Sequence, residues 1–368
     1  MPLHAIHTNL VRERFSAVAM ACFMVASVTT AEGFEDEIAA LYAEWDQDDR
    51  PGLAVAILDN GEMVYAQGFG MANVEKGVAI DADSMFNIAS ISKQFTAGAI
   101  ARLHLDGKLQ LQDPVSKYVP GLPDWGNIVT VEQLVHHQSG VPDIFGYMAQ
   151  NDVEFEHIWG NADVVPHIEK MSLDFQPGEK FRYSNTNYVL LAEIVRHVSG
   201  LTLRQYTDKY FFEPLGMNDT RIDDDLSKDQ ENLVVSYGRP RRNEFAPVDR
   251  RDVLVGDGNV VTTLNDFAKW DAELRNPKLL GESWRDLMLS RIKLDDGELN
   301  NYAFGLIVKT EYGDTSVSHS GSWLRFRSQW IQLRNQGVSV IVFGNHGSRL
   351  DTSKVLEIYL YARNSAKQ

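Results

Sequence analysis

Six short apolar runs near the two ends of the chain constrain its fold more than anything between them. LAVAIL (53–58) and MVYAQGFG (63–70) flank Asp59-Asn60-Gly61, and Asn-Gly tolerates the positive φ angles of a tight hairpin turn. Four more runs lie toward the other end: AFGLIVK (303–309), 315–319, 327–333 and VSVIVF (338–343), with Asn335-Gln336-Gly337 as a turn before the last. Between them the pattern is helical. Residues 187–199 carry Leu190, Leu191, Ile194, Val195 and Val198 on one stripe, and Gly200 stands where a helix end favours a residue without Cβ. Further helices are expected over 34–45, 90–105, 131–137, 203–211, 264–275 and 352–362. Strands at both ends with helices between predict an α+β fold. One antiparallel sheet is built from both termini and flanked by helices, with a mostly helical lobe inserted. The sheet lobe takes roughly 32–80 plus 300–368 and the helical lobe roughly 81–299, as one domain over 32–368 with no linker or repeat to divide it.

The first 31 residues follow another logic. Arg12 and Arg14 precede the apolar run FSAVAMACFMVASV (15–28) and then Thr29-Thr30-Ala31. A basic start, a short apolar stretch and small residues at the end describe a secretory signal peptide, so the chain is expected to be exported, periplasmic or secreted. The run is short for a membrane span, and no later segment is long enough. Cys22, the single cysteine, lies inside it, and a lipid anchor there is disfavoured because the apolar run continues past it. Formal net charge is −16, and loss of the leader's two arginines and one glutamate brings it to −17. Such a surface repels nucleic acid and anionic lipid but says little about the substrate, which is expected to be a small molecule or peptide.

Ser90-Ile91-Ser92-Lys93, in FNIASISKQFTAGA (86–99), starts one of the expected helices. A serine N-cap usually has Glu or Gln three residues on, and here that place holds Lys93, a cation at the positive end of the helix dipole. As a cap the pair is poor; as chemistry it is better, since residues i and i+3 share a face and an amine there can take the Ser90 proton. The helix start also aims backbone N–H groups at an oxyanion. Ser290-Arg291-Ile292-Lys293 repeats the spacing late in a helical pattern crowded with charge, and reads as a solvated face.

Two signals follow in order. Tyr183-Ser184-Asn185 is the only Tyr-x-Asn in the chain and His319-Ser320-Gly321 the only His-x-Gly, with no Lys-x-Gly. With these flanks the chain resembles the serine β-lactamase and penicillin-binding protein superfamily, in its class C β-lactamase-like branch with DD-peptidase, D-aminopeptidase and esterase relatives. The likeness covers nearly all of 34–365 and includes FNIASISKQFTA, VEQLVHHQSGVPD, FRYSNTNYVLLAEIV, FFEPLGM, GDGNVVTTLNDFAKW and SHSGSW. It implies that Ser90 is the acylating nucleophile, Lys93 its proton acceptor or electrostatic partner, and Tyr183 the residue that exchanges protons between nucleophile, leaving group and deacylating water. Asn185 and Ser320 would hold the substrate, and Gly321 would let it approach closely. The N–H groups of Ser90 and Ser322 would form the oxyanion hole. His319 takes the place often held by Lys and, being charged only in part near neutral pH, favours peptidase- or esterase-like members over true β-lactamases. Arg325 and Arg327 follow as possible binders of a substrate carboxylate.

The function expected is a serine hydrolase that opens short esters, D-amino-acid peptides or β-lactams through an acyl-enzyme. The alternative is a weakly or non-hydrolytic penicillin- or peptidoglycan-binding protein on the same fold. No metal or cofactor is expected: the chain has no His-Glu-x-x-His, phosphate loop or dinucleotide fingerprint. His136-His137 would point about 100° apart on a helix and is read as structural. Asp257 is read as a buried turn carboxylate near the cleft.

Overall fold

A computed structural model describes residues 33–227, 232–238 and 245–366; the expected leader (1–31), with Cys22, lies outside the described residues. The hairpin joins β1 (Leu53–Asp59) to β2 (Glu62–Phe69), and Asn60 and Gly61 take φ of 53° and 86°. The later runs form β3 (Ile307–Glu311), β4 (Asp314–Trp323), β5 (Phe326–Leu333) and β6 (Val338–Gly344). All six lie in one antiparallel sheet ordered β2-β1-β6-β5-β4-β3. The two ends of the chain meet in the β1–β6 ladder, from Leu53 opposite Gly344 to Asp59 opposite Val338. These central strands are covered on both faces, which is why each reads as a continuous apolar run. Leu53, Val55 and Ile57 join one hydrophobic cluster, and Ala54, Ala56 and Leu58 join the other.

The helices that build the layers are α1 (Phe34–Tyr42), α2 (Lys93–Leu105), α3 (Ile144–Gln150), α4 (Asn185–Ser199), α5 (Leu264–Arg275) and α6 (Thr352–Ser365). One face is closed by α1 and α6 through Phe34, Ile38 and Tyr42 against Val355, Leu356 and Tyr359. The other face carries α2, buried almost all round as a central helix must be. Gly98 lets a partner approach it closely, the Trp284 indole donating to the Gly98 carbonyl (3.1 Å), and the Trp270 indole donates to Gln94 Oε1 (2.6 Å). Among the described residues, no helix is long and apolar enough to cross a membrane.

Several boundaries differ from the sequence expectation. The first helix stops at Tyr42, and Trp45 instead stacks on His346 at 3.8 Å. The run 303–309 becomes strand only at Ile307, because Tyr302, Ala303 and Phe304 turn into the core. The segment 203–211 is helical to Thr207 and continues through a wide π turn (Asp208–Phe212). The expected 131–137 helix closes at Val135 behind a Thr130/Gln133 capping box, and His137 leaves it with φ 56°. Ser290 follows a helix that ends at Met288, its hydroxyl on the Leu287 carbonyl, and Lys293 is exposed. A small sheet of Phe86–Asn87, Val260–Thr262 and Arg221–Ile222 has strands too short to leave a period in the sequence.

Candidate active site

The small sheet delivers Ser90. Directly after Phe86–Asn87 the chain reverses at Ala89, whose φ of 49° is rare for a residue with a Cβ. Hydrogen bonds hold the turn on both sides. The Ala89 N–H donates to Asn87 Oδ1 (2.8 Å), the Ile88 N–H to the Val260 carbonyl (3.0 Å), and the Ser328 hydroxyl to the Ile88 carbonyl (2.6 Å). Ser90 lies in a 3₁₀ turn (Ala89–Ser92), so the expected helix over 90–105 divides and Lys93 opens α2. Neither serine caps that helix: the Ser92 hydroxyl accepts from the Val260 N–H instead (3.0 Å).

Lys93 is wholly buried, and its Nζ faces three oxygens. These are Ser90 Oγ at 3.1 Å, Asn185 Oδ1 at 2.8 Å and the Asp257 carbonyl at 2.6 Å. The amide and carbonyl oxygens only accept, so two N–H bonds go to them. The third direction points at Ser90, where an ammonium puts a proton and a neutral amine its lone pair. A proton can pass between Oγ and Nζ along that line without disturbing the other two bonds.

Asn185 begins α4 and is held by Asp143. Both its backbone N–H (2.7 Å) and its Nδ2 (2.8 Å) donate to Asp143 Oδ2, which fixes its Oδ1 toward Lys93. Asp143 Oδ1 meanwhile caps α3 through the Phe145 and Gly146 N–H groups. The Tyr183 ring lies 4.9 Å from Lys93 Nζ and packs against the buried His137. Asp143 and His137 are the site residues that sequence reasoning passed over. The signal was VEQLVHHQSGVPD itself, recognised as a segment but given no role in the site.

β4 supplies the remaining wall. His319 is buried, and burial lowers its pKa to about 4, with the Lys93 charge adding to the effect. The partial charge expected near neutral pH is therefore corrected to a neutral ring. Its Nδ1 donates to the Ser320 carbonyl (2.7 Å), leaving Nε2 to accept from the Tyr302 hydroxyl (3.0 Å). Gly321 is buried because the protein's own backbone needs the room. A Cβ there would stand 2.3 Å from the Ile88 carbonyl and 2.2 Å from Ser328 Oγ.

Two clefts meet at Ser90, and both are bordered by Asn185 and Ser322. The larger, about 670 Å³, is lined by Tyr183, Tyr302, His319, Ser320, Gly321 and Lys309 among others. The smaller, about 290 Å³, holds Asp143, Asp252 and Asp257 with Phe145 and Trp323. Arg325 and Arg327 line neither. Arg325 lies against Gly347, and Arg327 donates to the adjacent Phe326 carbonyl (2.8 Å). Burial holds the Asp257 carboxyl up to about 7, opposed by the Lys93 charge and helped by Asp252 and Asp143. Among the described residues no group of three His, Cys, Asp or Glu is arranged to hold a metal. The arrangement suits proton exchange between Ser90 and a buried amine 3.1 Å away, with room for a ligand on both sides.

The sequence profile of the Beta-lactamase family matches residues 34–360. Penicillin-binding protein 4* of Bacillus subtilis (strain 168) is 30% identical over 307 residues, covering 79% of this chain and 67% of that protein. A D-aminopeptidase of Gluconobacter oxydans (strain 621H) is 28% identical over 81% of this chain, which spans 56% of that protein's length. Among solved structures, the octameric penicillin-binding protein homologue from Pyrococcus abyssi superposes with TM-score 0.76 at 29% identity. It covers 90% of this chain and 77% of that one. The D-amino acid amidase from Ochrobactrum anthropi SV3 shares the fold, with TM-score 0.75 at 21% identity over 90% of this chain and 99% of that one.

Proposed function

The chain belongs to the Beta-lactamase family, and from that premise we propose that it is an exported serine hydrolase that opens amides and esters through a Ser90 acyl-enzyme. One observation carries this proposal: buried Lys93 Nζ stands 3.1 Å from Ser90 Oγ while bonded to Asn185 and the Asp257 carbonyl. Lys93 takes the Ser90 proton as Oγ adds to the substrate carbonyl carbon. The oxyanion is received by the N–H groups of Ser90 and Ser322. The proton on Lys93 is relayed through Tyr183 to the leaving amine or alkoxide as the C–N or C–O bond breaks, which returns Lys93 to the neutral amine. Water then repeats the sequence on the acyl-enzyme, releasing the acid and restoring Ser90. The names of the relatives favour amides and peptides of D-amino acids as substrates; short esters are proposed from the Ser90 acyl chemistry alone. A mature chain from residue 32 onward forms one catalytic domain. A fluorophosphonate or fluorescent-penicillin probe is expected to label wild type and to miss Ser90→Ala; equal labelling of both would overturn the proposal.

A further inference from the structure

We propose that the smaller cleft beside Ser90 recognises the protonated amine of the substrate, a primary ammonium adjacent to the scissile carbonyl, with Asp257 as its counter-ion. This rests on Ser90 being the nucleophile. Among the described residues lining that cleft are three aspartates and no lysine, arginine or histidine. Two of the three are already committed. Asp143 receives N–H groups on both oxygens, from Phe145 and Gly146 on Oδ1 and from Asn185 on Oδ2. Asp252 accepts the Trp323 indole N–H on Oδ1 (3.1 Å) and Asn259 Nδ2 on Oδ2 (2.9 Å).

Asp257 differs. It is only 8% exposed, yet its Oδ1 meets no donor. Lys93, buried beside it, binds its backbone carbonyl and directs its other contacts to Ser90 and Asn185. A buried carboxylate oxygen without a donor is costly, and a cation held in the adjoining cleft offsets part of that cost through its charge. The walls favour a cation as well. The Phe145 and Trp323 rings lie 5.0 Å apart on the same cleft and offer aromatic surface to a positive charge. At about 290 Å³ the cleft suits a group the size of one amino acid, while the 670 Å³ cleft across Ser90 receives the rest of the substrate. An N-acylated substrate brings no charge and leaves Asp257 unpaired, so the site discriminates against it.

The test compares kcat/KM for D-alanine p-nitroanilide with that for N-acetyl-D-alanine p-nitroanilide on the mature chain. The free amine is expected to be preferred at least about tenfold, and the preference is expected to collapse toward one in Asp257→Asn. A second measurement needs no variant: D-alaninol should inhibit turnover of neutral p-nitrophenyl acetate at concentrations where N-acetyl-D-alaninol does not. Equal inhibition by the two, no preference in wild type, or an unchanged preference in folded Asp257→Asn would each overturn the amine site. If Asp257→Asn does not fold, the inhibitor pair decides. Ser90→Ala separates the two levels. Turnover lost in Ser90→Ala together with no amine preference removes only the amine site, whereas turnover that survives Ser90→Ala removes the nucleophile beneath it.

Discussion

The ring of His137 lies 4.3 Å from that of Tyr183, and the same histidine grips the chain on either side of the tyrosine. Its carbonyl accepts from the Arg182 N–H (2.9 Å) and its Nδ1 from the Ser184 N–H (3.2 Å). Asn187 adds a second donor to Nδ1 (3.0 Å), its own amide oriented by the Ser139 hydroxyl (2.7 Å). Two donors on Nδ1 require a neutral ring with its proton on Nε2, and burial pushes the His137 pKa well below its ordinary value.

The clamp on Tyr183 is therefore testable by splitting its parts. Asparagine tolerates the φ of 56° and can place Oδ1 near the position of Nδ1; phenylalanine keeps the ring and loses the acceptor. His137→Asn is expected to keep kcat for p-nitrophenyl acetate within a few-fold. His137→Phe is expected to lower it by about tenfold or more, through the misplaced proton-transfer group. KM should change little in either. A fully active His137→Phe would reduce His137 to packing.

The sheet was legible because its central strands are covered on both faces and so print unbroken apolar runs. The Ser90, Tyr183 and His319 segments were legible because each is short and local. What escaped depends on distance or on where a helix stops. His136 and His137 were judged on a helix, but that helix ends at Val135, and the departure is what turns His137 toward Tyr183. Asp143 resembles any helix cap from its neighbours, and its second task lies 42 residues away on Asn185. Gly321 was read only for the close approach of substrate, and nothing in the local pattern signals that a Cβ there would also meet Ser328 Oγ and the Ile88 carbonyl.

Asp143 is expected to act through Asn185. Without its carboxylate only the Lys93 contact orients the Asn185 amide, and an inverted amide would set N–H against N–H. Asp143→Ala also removes the α3 cap, a loss of about 1 kcal/mol. The melting temperature should fall modestly and kcat/KM by a factor well beyond what that loss explains. Asp143→Asn restores the cap but can offer only one oxygen, and should recover stability more than activity. Equal recovery of both would show that Asp143 serves only the helix.

Gly321→Ala tests the contact that seats β4 on the nucleophile turn. The added methyl would intrude on the Ser328–Ile88 hydrogen bond and approach Ala89 Cβ at 3.0 Å. Overpacking of this kind costs about 1–3 kcal/mol, and the shift falls on the residues that aim Ser90. Gly258→Ala is the internal comparison, since its Cβ would meet nothing nearer than the Ala89 carbonyl at 3.9 Å. Thermal melting and probe labelling of the two should separate, with Gly321→Ala losing both. Similar behaviour of the two variants would show that β4 can yield.

Asp257 sets a pH dependence of stability with a definite sign. Its carboxyl ordinarily titrates near 3.8, and in the fold burial raises this to about 7 against the Lys93 charge, with Asp252 and Asp143 adding to the rise. Between those values the folded chain holds a proton that the unfolded chain has released. The contribution is thus fully present below 3.8 and is lost as pH rises through about 7, at up to about 1.4 kcal/mol per pH unit. Asparagine cannot ionise, so Asp257→Asn lacks this slope, and any fixed effect of the amide is the same at every pH. His136, His319 and His346, each lowered to about 4 mainly by burial, titrate in both proteins and cancel in the comparison. The melting temperature of Asp257→Asn relative to wild type is expected to rise from pH 4 to about pH 7 and to level off by about pH 8. A difference that stays flat or shrinks over that range would show that the Asp257 carboxyl ionises freely in the fold.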